Sequence, residues 1–194
     1  NYETEDAKGQ IVRFEVKGLQ GGHSGMDIHK GFGNANVILG RLLYKALEKE
    51  NIQLISIDGG GLRNAIPREA VAVASVRNAQ EFIEQVTNGL KKEILDEFAG
   101  IEAGLQINIE NTTTSKKAIS EADSRKIILT LKSLHNGVYR MSPDVKDLVE
   151  SSNNVARVEL KHGALKILNL SRSSVESSKD SVAEQLKSVA ELAE

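Results

Sequence analysis

The 194-residue sequence predicts an α+β fold in which helices cover one face of a mainly antiparallel sheet. Segments with alternating apolar residues are interleaved with longer segments whose apolar residues recur at helical spacing, an order typical of helices packed on a sheet. Near the end of the chain, His162-Gly163 separates two strand-like segments and predicts a tight hairpin turn, which joins antiparallel strands. A chain of this length buries about 70% of its unfolded surface, and here aliphatic residues supply the core.

The first half of the chain contains four predicted strands and two predicted helices. The strands alternate apolar residues and span 10–16, 51–57, 69–76 and 105–109. The helices carry an apolar stripe and span 34–48 and 79–98. Asn78 is the expected N-cap of the second helix.

The second half shows a similar rhythm. Ser120 is expected to cap a helix that ends at Leu134, and a last helix starts at Val175. The predicted strands span 138–141, 154–161 and 164–170. The polar stretch 111–117 is predicted to separate the two halves, which run from about 9 to 111 and from about 118 to 194. Both halves have a ferredoxin-like order of elements without a sequence repeat, and whether their sheets join stays open.

Composition excludes several classes of protein. Without cysteine, the chain has no disulfide framework, iron–sulfur site or thiolate zinc site. Its net charge of −2 arises from well-mixed signs, so no basic surface for nucleic acid is predicted. No apolar run reaches the roughly 20 residues of a membrane-spanning helix, and the acidic N-terminus is unlike a signal peptide. We expect a protein of a reducing compartment, and its two ends suggest a piece of a longer chain.

The glycine-rich stretch 18–25 carries the first candidate site residue, His23. Its glycines allow a tight turn, so the imidazole can be presented at the surface directly after a strand. There it could donate a hydrogen bond to an oxyanion that develops on a substrate carbonyl. The alternative interpretation is structural, with His23 capping the segment that follows the turn.

Asn64 and Arg172 are the other candidate site residues. Asn64 follows three glycines and precedes Pro67, which stiffens the turn and suits a hydrogen bond between the amide and a substrate. An ordinary self-capping asparagine turn is the alternative. Arg172 is expected where a strand meets the last helix, and a guanidinium opposes the dipole there unless an anion joins it. This indicates carboxylate binding, with a solvated surface arginine as the alternative.

A metal site and a catalytic serine are not predicted. His23 and His29 are close in sequence, but no Asp, Glu or Cys completes a recognisable set of metal ligands. Ser24 is not interpreted as a nucleophile, because neighbours in sequence rarely point at each other and no orienting carboxylate is evident. Surface positions are predicted for Arg63, Arg68, His135 and His162.

Four stretches spread across the chain resemble the M20 family of metallopeptidases, and more narrowly its aminoacyl-histidine dipeptidase (Xaa-His dipeptidase) branch. They are GLQGGHSG at 18–25, GGLRNAIPREA at 60–70, SSNN at 151–154 and LSRSS at 170–174. The resemblance implies that residues 1–194 form the nearly complete lid domain of such an enzyme, in which the lid is inserted into a catalytic domain that carries two zinc ions. It also implies that His23 polarises the scissile carbonyl, Asn64 hydrogen-bonds the substrate, and Arg172 binds the terminal carboxylate of a dipeptide.

The same resemblance implies a cytoplasmic enzyme that hydrolyses Xaa-His dipeptides, with the catalytic domain as the partner of the lid. Lids of many family members form homodimers, whereas the two halves of a larger lid can instead serve a single chain, and both possibilities stay open. The zinc ligands and the carboxylate general base of the family are not evident in this sequence, so the chain alone is predicted to be inactive. Two alternatives remain. One is an interaction module that pairs through the edge of strand 105–109, and the other is a small-molecule regulatory domain, by analogy of fold.

Overall fold

The computed structural model of the chain describes residues 1–113 and 117–193. Within them, strands β1–β11 span Thr4–Asp6, Gln10–Lys17, Gly22–His23, Gln53–Gly60, Ala65–Ile66, Ala70–Val76, Gln106–Thr112, Lys117–Ile119, Gly137–Met141, Val149–Lys161 and Ala164–Ser173. Helices α1–α5 of the same residues span Ala35–Lys49, Ala79–Val86, Lys92–Phe98, Glu121–Ser133 and Glu176–Glu191. A π-helical turn, Thr87–Lys91, joins α2 to α3.

Most strands form one antiparallel sheet in the order β11-β10-β4-β6-β2-β7, and β9 pairs with the first part of β10. The sheet crosses between the two predicted halves, because β4 pairs with β10 from Gly60 opposite Arg157 to Ile57 opposite Leu160. Two short antiparallel ribbons, β1–β8 and β3–β5, lie outside this sheet. The predicted mainly antiparallel sheet is thus confirmed. The sequence left open whether the sheets of the two halves join, and the structure shows that they form one sheet.

The core lies between one face of the sheet and the helices. α1 contacts β2, β4, β6 and β10, while α4 packs on α1 and α5 packs on β10 and β11. Alternate residues of β2, among them Val12, Phe14 and Val16, are fully buried in one cluster with Leu42 and Leu43 of α1. Each such side chain contributes about 1.5–3 kcal/mol by its removal from water. The predicted α+β class, with helices on one face, is confirmed.

The opposite face of β2 is polar. The Glu15 carboxylate accepts hydrogen bonds from Arg13 Nη2 (2.9 Å) and Asn108 Nδ2 (2.8 Å), and it pairs with Lys17 Nζ (2.8 Å). These partners, Lys17 first, lower the pKa of Glu15 to about 2. Charged and amide side chains therefore stabilise this face of the sheet.

Helices with a side-chain cap begin where the sequence predicts. Asn34 Oδ1 accepts the N–H groups of the first turn of α1, and Ser120 Oγ accepts the N–H of Asp123 in α4. None of the helices in residues 1–113 and 117–193 is long and apolar enough to cross a membrane.

The helix predicted over 79–98 is instead interrupted by the π-helical turn. Residues eight apart in an α-helix differ in direction by about 80°, and the extra residue of a π turn removes most of this difference. Val86 and Ile94, on either side of the turn, are therefore both fully buried.

Two strands of the second half are longer than predicted. β10 begins at Val149, ahead of the predicted 154, and β11 ends at Ser173, beyond the predicted 170. Four of the five added residues of β10, at 150–153, are polar, so apolar alternation does not reveal them, yet they are buried. The predicted hairpin turn is confirmed at His162 (φ 50°) and Gly163 (φ 79°). The predicted boundary at 111–117 lies partly outside the described residues, as does residue 194, so the division into halves stays a prediction.

Candidate functional site

The two glycine-rich turns lie side by side. β3 and β5 pair antiparallel with His23 opposite Ala65, and the N–H of Ser24 donates to the carbonyl oxygen of Asn64 over 2.9 Å. The first turn needs glycine at Gly21, where φ is 69° and a β-carbon would lie 2.7 Å from a neighbouring arginine side chain. Long-range pairing thus brings His23 and Asn64 onto adjacent short strands and turns.

The hydrogen bonds of His23 determine which ring nitrogen carries the proton. Nδ1 accepts the backbone N–H groups of Gly25 and Met26, each over 3.1 Å. A nitrogen that accepts hydrogen bonds holds no proton, so the neutral imidazole carries its proton on Nε2. Nδ1 therefore caps the turn, as the structural interpretation expects. Nε2–H has no acceptor among residues 1–113 and 117–193, so it can act as the donor that the functional interpretation requires.

Asp27 anchors the backbone of the same turn. Its Oδ2 accepts the N–H of His23 over 2.7 Å, and its Oδ1 pairs with Lys30 Nζ at 2.7 Å. Lys30 first, and then the His23 N–H, lower the pKa of Asp27 below its usual range, so the carboxylate stays ionised at neutral pH. Sequence reasoning missed Asp27, although an aspartate within a turn is typical of side chains that bond nearby backbone N–H groups.

Arg172 lies against the turn of His23. A β-carbon placed on Gly25 would be 3.2 Å from Arg172 Nε and 3.2 Å from His23 Cε1. The Arg172 side chain and the His23 imidazole thus both pack against Gly25, which has no side chain of its own. Arg172 is exposed, and within residues 1–113 and 117–193 no acidic side chain pairs with its guanidinium.

Arg172 lies near the end of its strand, as expected, but ahead of the first turn of the last helix. It lies on β11 in register with Ser152, and α5 begins only at Glu176. The buried carboxylate of Glu150 lines the same cavity as Arg172 and accepts a hydrogen bond from Ser178 Oγ of α5 over 3.1 Å. A side chain of β10 therefore already contacts the first turn of α5. Because the effect of a helix dipole falls off beyond the first turn, the expected carboxylate contact of Arg172 rests on its exposed guanidinium beside the imidazole.

Asn64 occupies the exposed end of its turn. Its carbonyl oxygen is bonded to the other turn, while its carboxamide has no hydrogen-bond partner in the described part of the chain. The carbonyl of Pro67, three residues on, accepts the N–H of Ala35 at the start of α1 over 3.1 Å. The stiff turn that Pro67 predicts is therefore also attached to the first helix.

One prediction of a surface residue is wrong. His135 is half-buried because its ring packs against that of Tyr139, with ring centroids 3.9 Å apart and planes tilted by 43°. Its carbonyl accepts a hydrogen bond from buried Asn153. Exposed, as predicted, are Arg63, Arg68 and His162.

Neither histidine near the turn belongs to a metal centre in the described chain. His29 is exposed, and among residues 1–113 and 117–193 no three His, Cys, Asp or Glu side chains come together as metal ligands. These residues therefore do not fit the zinc ions that the resemblance implies for the family. Ser24 is buried, and no base within the same residues contacts its hydroxyl.

The fold and the site together define an α+β domain that presents an imidazole donor and an exposed guanidinium beside one glycine. Residues 14–102 match the M20 peptidase dimerisation domain. The chain is 36% identical over 185 residues to the cytosol non-specific dipeptidase of Escherichia coli (strain K12), a match that covers 95% of this chain and 38% of that protein. The crystal structure of aminoacylhistidine dipeptidase from Vibrio alginolyticus superimposes with a TM-score of 0.90 at 35% identity, over 98% of this chain and 40% of that one.

The chain therefore belongs to the M20 peptidase family through its dimerisation domain, and it is homologous to both dipeptidases. It spans about two fifths of the length of these relatives. His23 and Asn64 lie within the matched domain, whereas Arg172 lies in the part of the chain beyond it.

Proposed function

We propose that this chain is the lid domain of a cytoplasmic dipeptidase and that His23, Asn64 and Arg172 contact the dipeptide. The observation that carries the proposal is the Nε2–H donor of His23, fixed by two backbone N–H groups, beside the exposed guanidinium of Arg172. Both relatives are named as dipeptidases, one cytosolic and non-specific and the other acting on aminoacylhistidine. The second name supports Xaa-His dipeptides as the substrate class.

Peptide hydrolysis places negative charge on the oxygen of the scissile carbonyl as the carbon becomes tetrahedral. A hydrogen bond from His23 Nε2–H to that oxygen strengthens as the charge develops, so it lowers the barrier. Because Nδ1 is held by two N–H groups and the His23 backbone by Asp27, the ring needs no reorientation during the reaction. Arg172 binds the terminal carboxylate with two parallel N–H···O bonds, and Asn64 orients the substrate by its exposed carboxamide.

The metal chemistry of the family belongs, in this proposal, to a catalytic domain outside this chain. Bound there, zinc would supply the activated water. The described residues offer no ligand set for it, so we expect the purified chain to bind no stoichiometric zinc. We also expect no hydrolysis of an Xaa-His dipeptide by this chain when zinc or cobalt is added.

The test of His23 uses the full-length enzyme that contains this chain. His23→Ala should lower kcat by about 10²–10³-fold, as for the loss of an oxyanion donor. His23→Gln, whose amide N–H can replace the Nε2–H donor, should recover part of that loss. His29→Ala is the matched control, because His29 is exposed and six positions away. A drop in kcat of less than tenfold for folded His23→Ala would sink the proposed role.

The test of Arg172 separates binding from chemistry. Arg172→Met keeps the apolar stem and removes the charge, so KM should rise by about tenfold or more while kcat changes less. Arg68→Met is the control, since Arg68 is also an exposed arginine near the glycine-rich turn. An unchanged KM in Arg172→Met would exclude the carboxylate contact.

The matched family is named for dimerisation, which supports self-association of this domain. The alternative of a non-catalytic interaction module predicts pairing through β7, which lies at an edge of the main sheet. Proline substitution of Asn108 in β7, combined with the kinetics of His23→Ala, distinguishes the dipeptidase lid from the interaction module. If Asn108→Pro no longer self-associates in sedimentation velocity and His23→Ala keeps a normal kcat, the interaction module is favoured.

A further inference from the structure

Asn154 of β10 is fully buried beneath the turn of Asn64. Its Nδ2 donates to the carbonyl oxygen of Arg63 over 3.1 Å and to that of Ala65 over 2.9 Å. These two residues flank Asn64, so one carboxamide holds the backbone on both sides of it. The sequence stretch SSNN at 151–154 carries part of the family resemblance, but no role was predicted for it.

The Asn154 side chain acts where the backbone hydrogen bonds between β4 and β10 end. Pairing between β4 and β10 ends at Gly60 opposite Arg157, and the next strand, β5, is only two residues long and pairs with β3. Asn154 therefore attaches the turn to the main sheet by side-chain hydrogen bonds in place of strand pairing.

The other end of the same carboxamide reaches the first helix. Asn154 Oδ1 accepts a hydrogen bond from Asn34 Nδ2 over 3.2 Å, and Asn34 Oδ1 caps α1. From Asn64 the connection continues to the turn of His23 through the bond between Ser24 N–H and the Asn64 carbonyl. One buried amide thus links α1, β10 and both turns of the candidate site.

We infer that Asn154 is a positioning residue for Asn64 and His23, an inference that rests on the proposed function of those two side chains. Without its two donors, the carbonyls of Arg63 and Ala65 are left unpaired, and the turn must move towards water to satisfy them. Misplacement of a reacting group by about 1 Å costs up to 10²-fold in rate, even when the substituted residue lies away from the chemistry.

The chain offers a matched control in Asn153, which is equally buried. Asn153 Nδ2 donates to the carbonyl of His135 over 2.7 Å and to Asn169 Oδ1 over 3.1 Å, while its Oδ1 accepts from Ser171 Oγ. These partners lie on the other side of β10 and do not bond either turn.

In the full-length protein, Asn154→Ala should lower kcat by about 10–10²-fold. Asn153→Ala, with a similar loss of Tm, should change kcat by less than about threefold. Equal kcat losses in the two variants at equal Tm would show a merely structural role and overturn the inference.

Hydrogen exchange gives a second readout that does not depend on activity. Amides of 61–66 and of Ser24 should exchange faster in Asn154→Ala than in Asn153→Ala, measured by mass spectrometry on the same full-length protein. If exchange is faster in Asn154→Ala but His23→Ala has a normal kcat, Asn154 positions the turns and the proposed function is rejected. Unchanged exchange in Asn154→Ala would reject the positioning itself.

If Asn154→Ala does not accumulate as folded protein, Asn154→Asp replaces it. The aspartate keeps the volume and an acceptor for Asn34 but loses both donors to the turn. Asn153→Asp is then the control, and the same difference in kcat and in exchange is expected.

Discussion

The carboxylate of Glu15 on the polar face of the sheet provides a stability test that is independent of function. Lys17, Arg13 and Asn108 bond it and lower its pKa from 4.5 to about 2. A lowered pKa means that the folded chain favours the ionised form more than the unfolded chain does. The stabilisation is therefore complete above the unfolded pKa and is lost as the pH falls through 4.5 towards 2.

The size of the effect follows from the two pKa values. A fall from 4.5 to about 2 corresponds to about 3 kcal/mol at full ionisation. Because this face is open to water and the partners are partly exposed, we expect screening to leave about 1–2 kcal/mol. Glu15→Gln should lower the free energy of unfolding of the chain by that amount at pH 7.

Urea unfolding of the unsubstituted chain and of Glu15→Gln between pH 7 and pH 3 measures the difference between their free energies of unfolding. It should be constant above about pH 5 and narrow steadily below pH 4.5. Glu110→Gln is the control, since its carboxylate is 62% exposed and lies 3.9 Å from Arg13 Nη1, so a change within about 0.5 kcal/mol is expected. A difference for Glu15→Gln that persists unchanged at pH 3 would refute the assignment of the effect to the ionised carboxylate.

Three further substitutions test the site and the scaffold. Gly25→Ala should raise KM of the full-length enzyme several-fold, because its β-carbon presses on both Arg172 and His23; Gly61→Ala, where a β-carbon meets nothing within 4 Å, should not. Ser120→Ala should lower the free energy of unfolding by about 1 kcal/mol by removing the N-cap of α4, as urea unfolding would show. Leu42→Ala should cost about 2–5 kcal/mol by the same measurement, because it empties part of the core between α1 and the sheet.

Elements with strong local signals were predictable from the sequence. α1 combines an apolar stripe with the cap Asn34, and α4 follows Ser120, so both helices begin at the expected residues. The hairpin at His162-Gly163 was predictable because its two positive φ angles require such residues.

The beginning of β10 was not predictable from apolar alternation, because Glu150 to Asn154 are polar and buried. Their burial depends on partners distant in sequence, such as the carbonyls of Arg63 and His135. Two consecutive asparagines just before a β-branched strand segment are a signal that could have been weighed, since buried amides need such partners.

The candidate site was predictable by residue type but not by arrangement. Glycine-rich turns and the family resemblance pointed to His23 and Asn64, and their adjacency follows only from the pairing of β3 with β5. For Arg172, the helix-dipole reasoning carries little weight, because the residue lies three positions before the N-cap Val175 of α5. The proton on His23 Nε2 depends on backbone N–H groups that no sequence pattern places.

A tetrahedral inhibitor distinguishes stabilisation of the transition state from simple binding at His23. A phosphinate analogue of an Xaa-His dipeptide carries charged oxygens where the reaction develops its oxyanion. In the full-length enzyme, His23→Ala should weaken binding of this analogue by about 10²-fold and change KM for the dipeptide much less. If His23→Ala weakens binding of the analogue and of the dipeptide equally, or leaves both unchanged, the role of His23 as the donor to the oxyanion is contradicted.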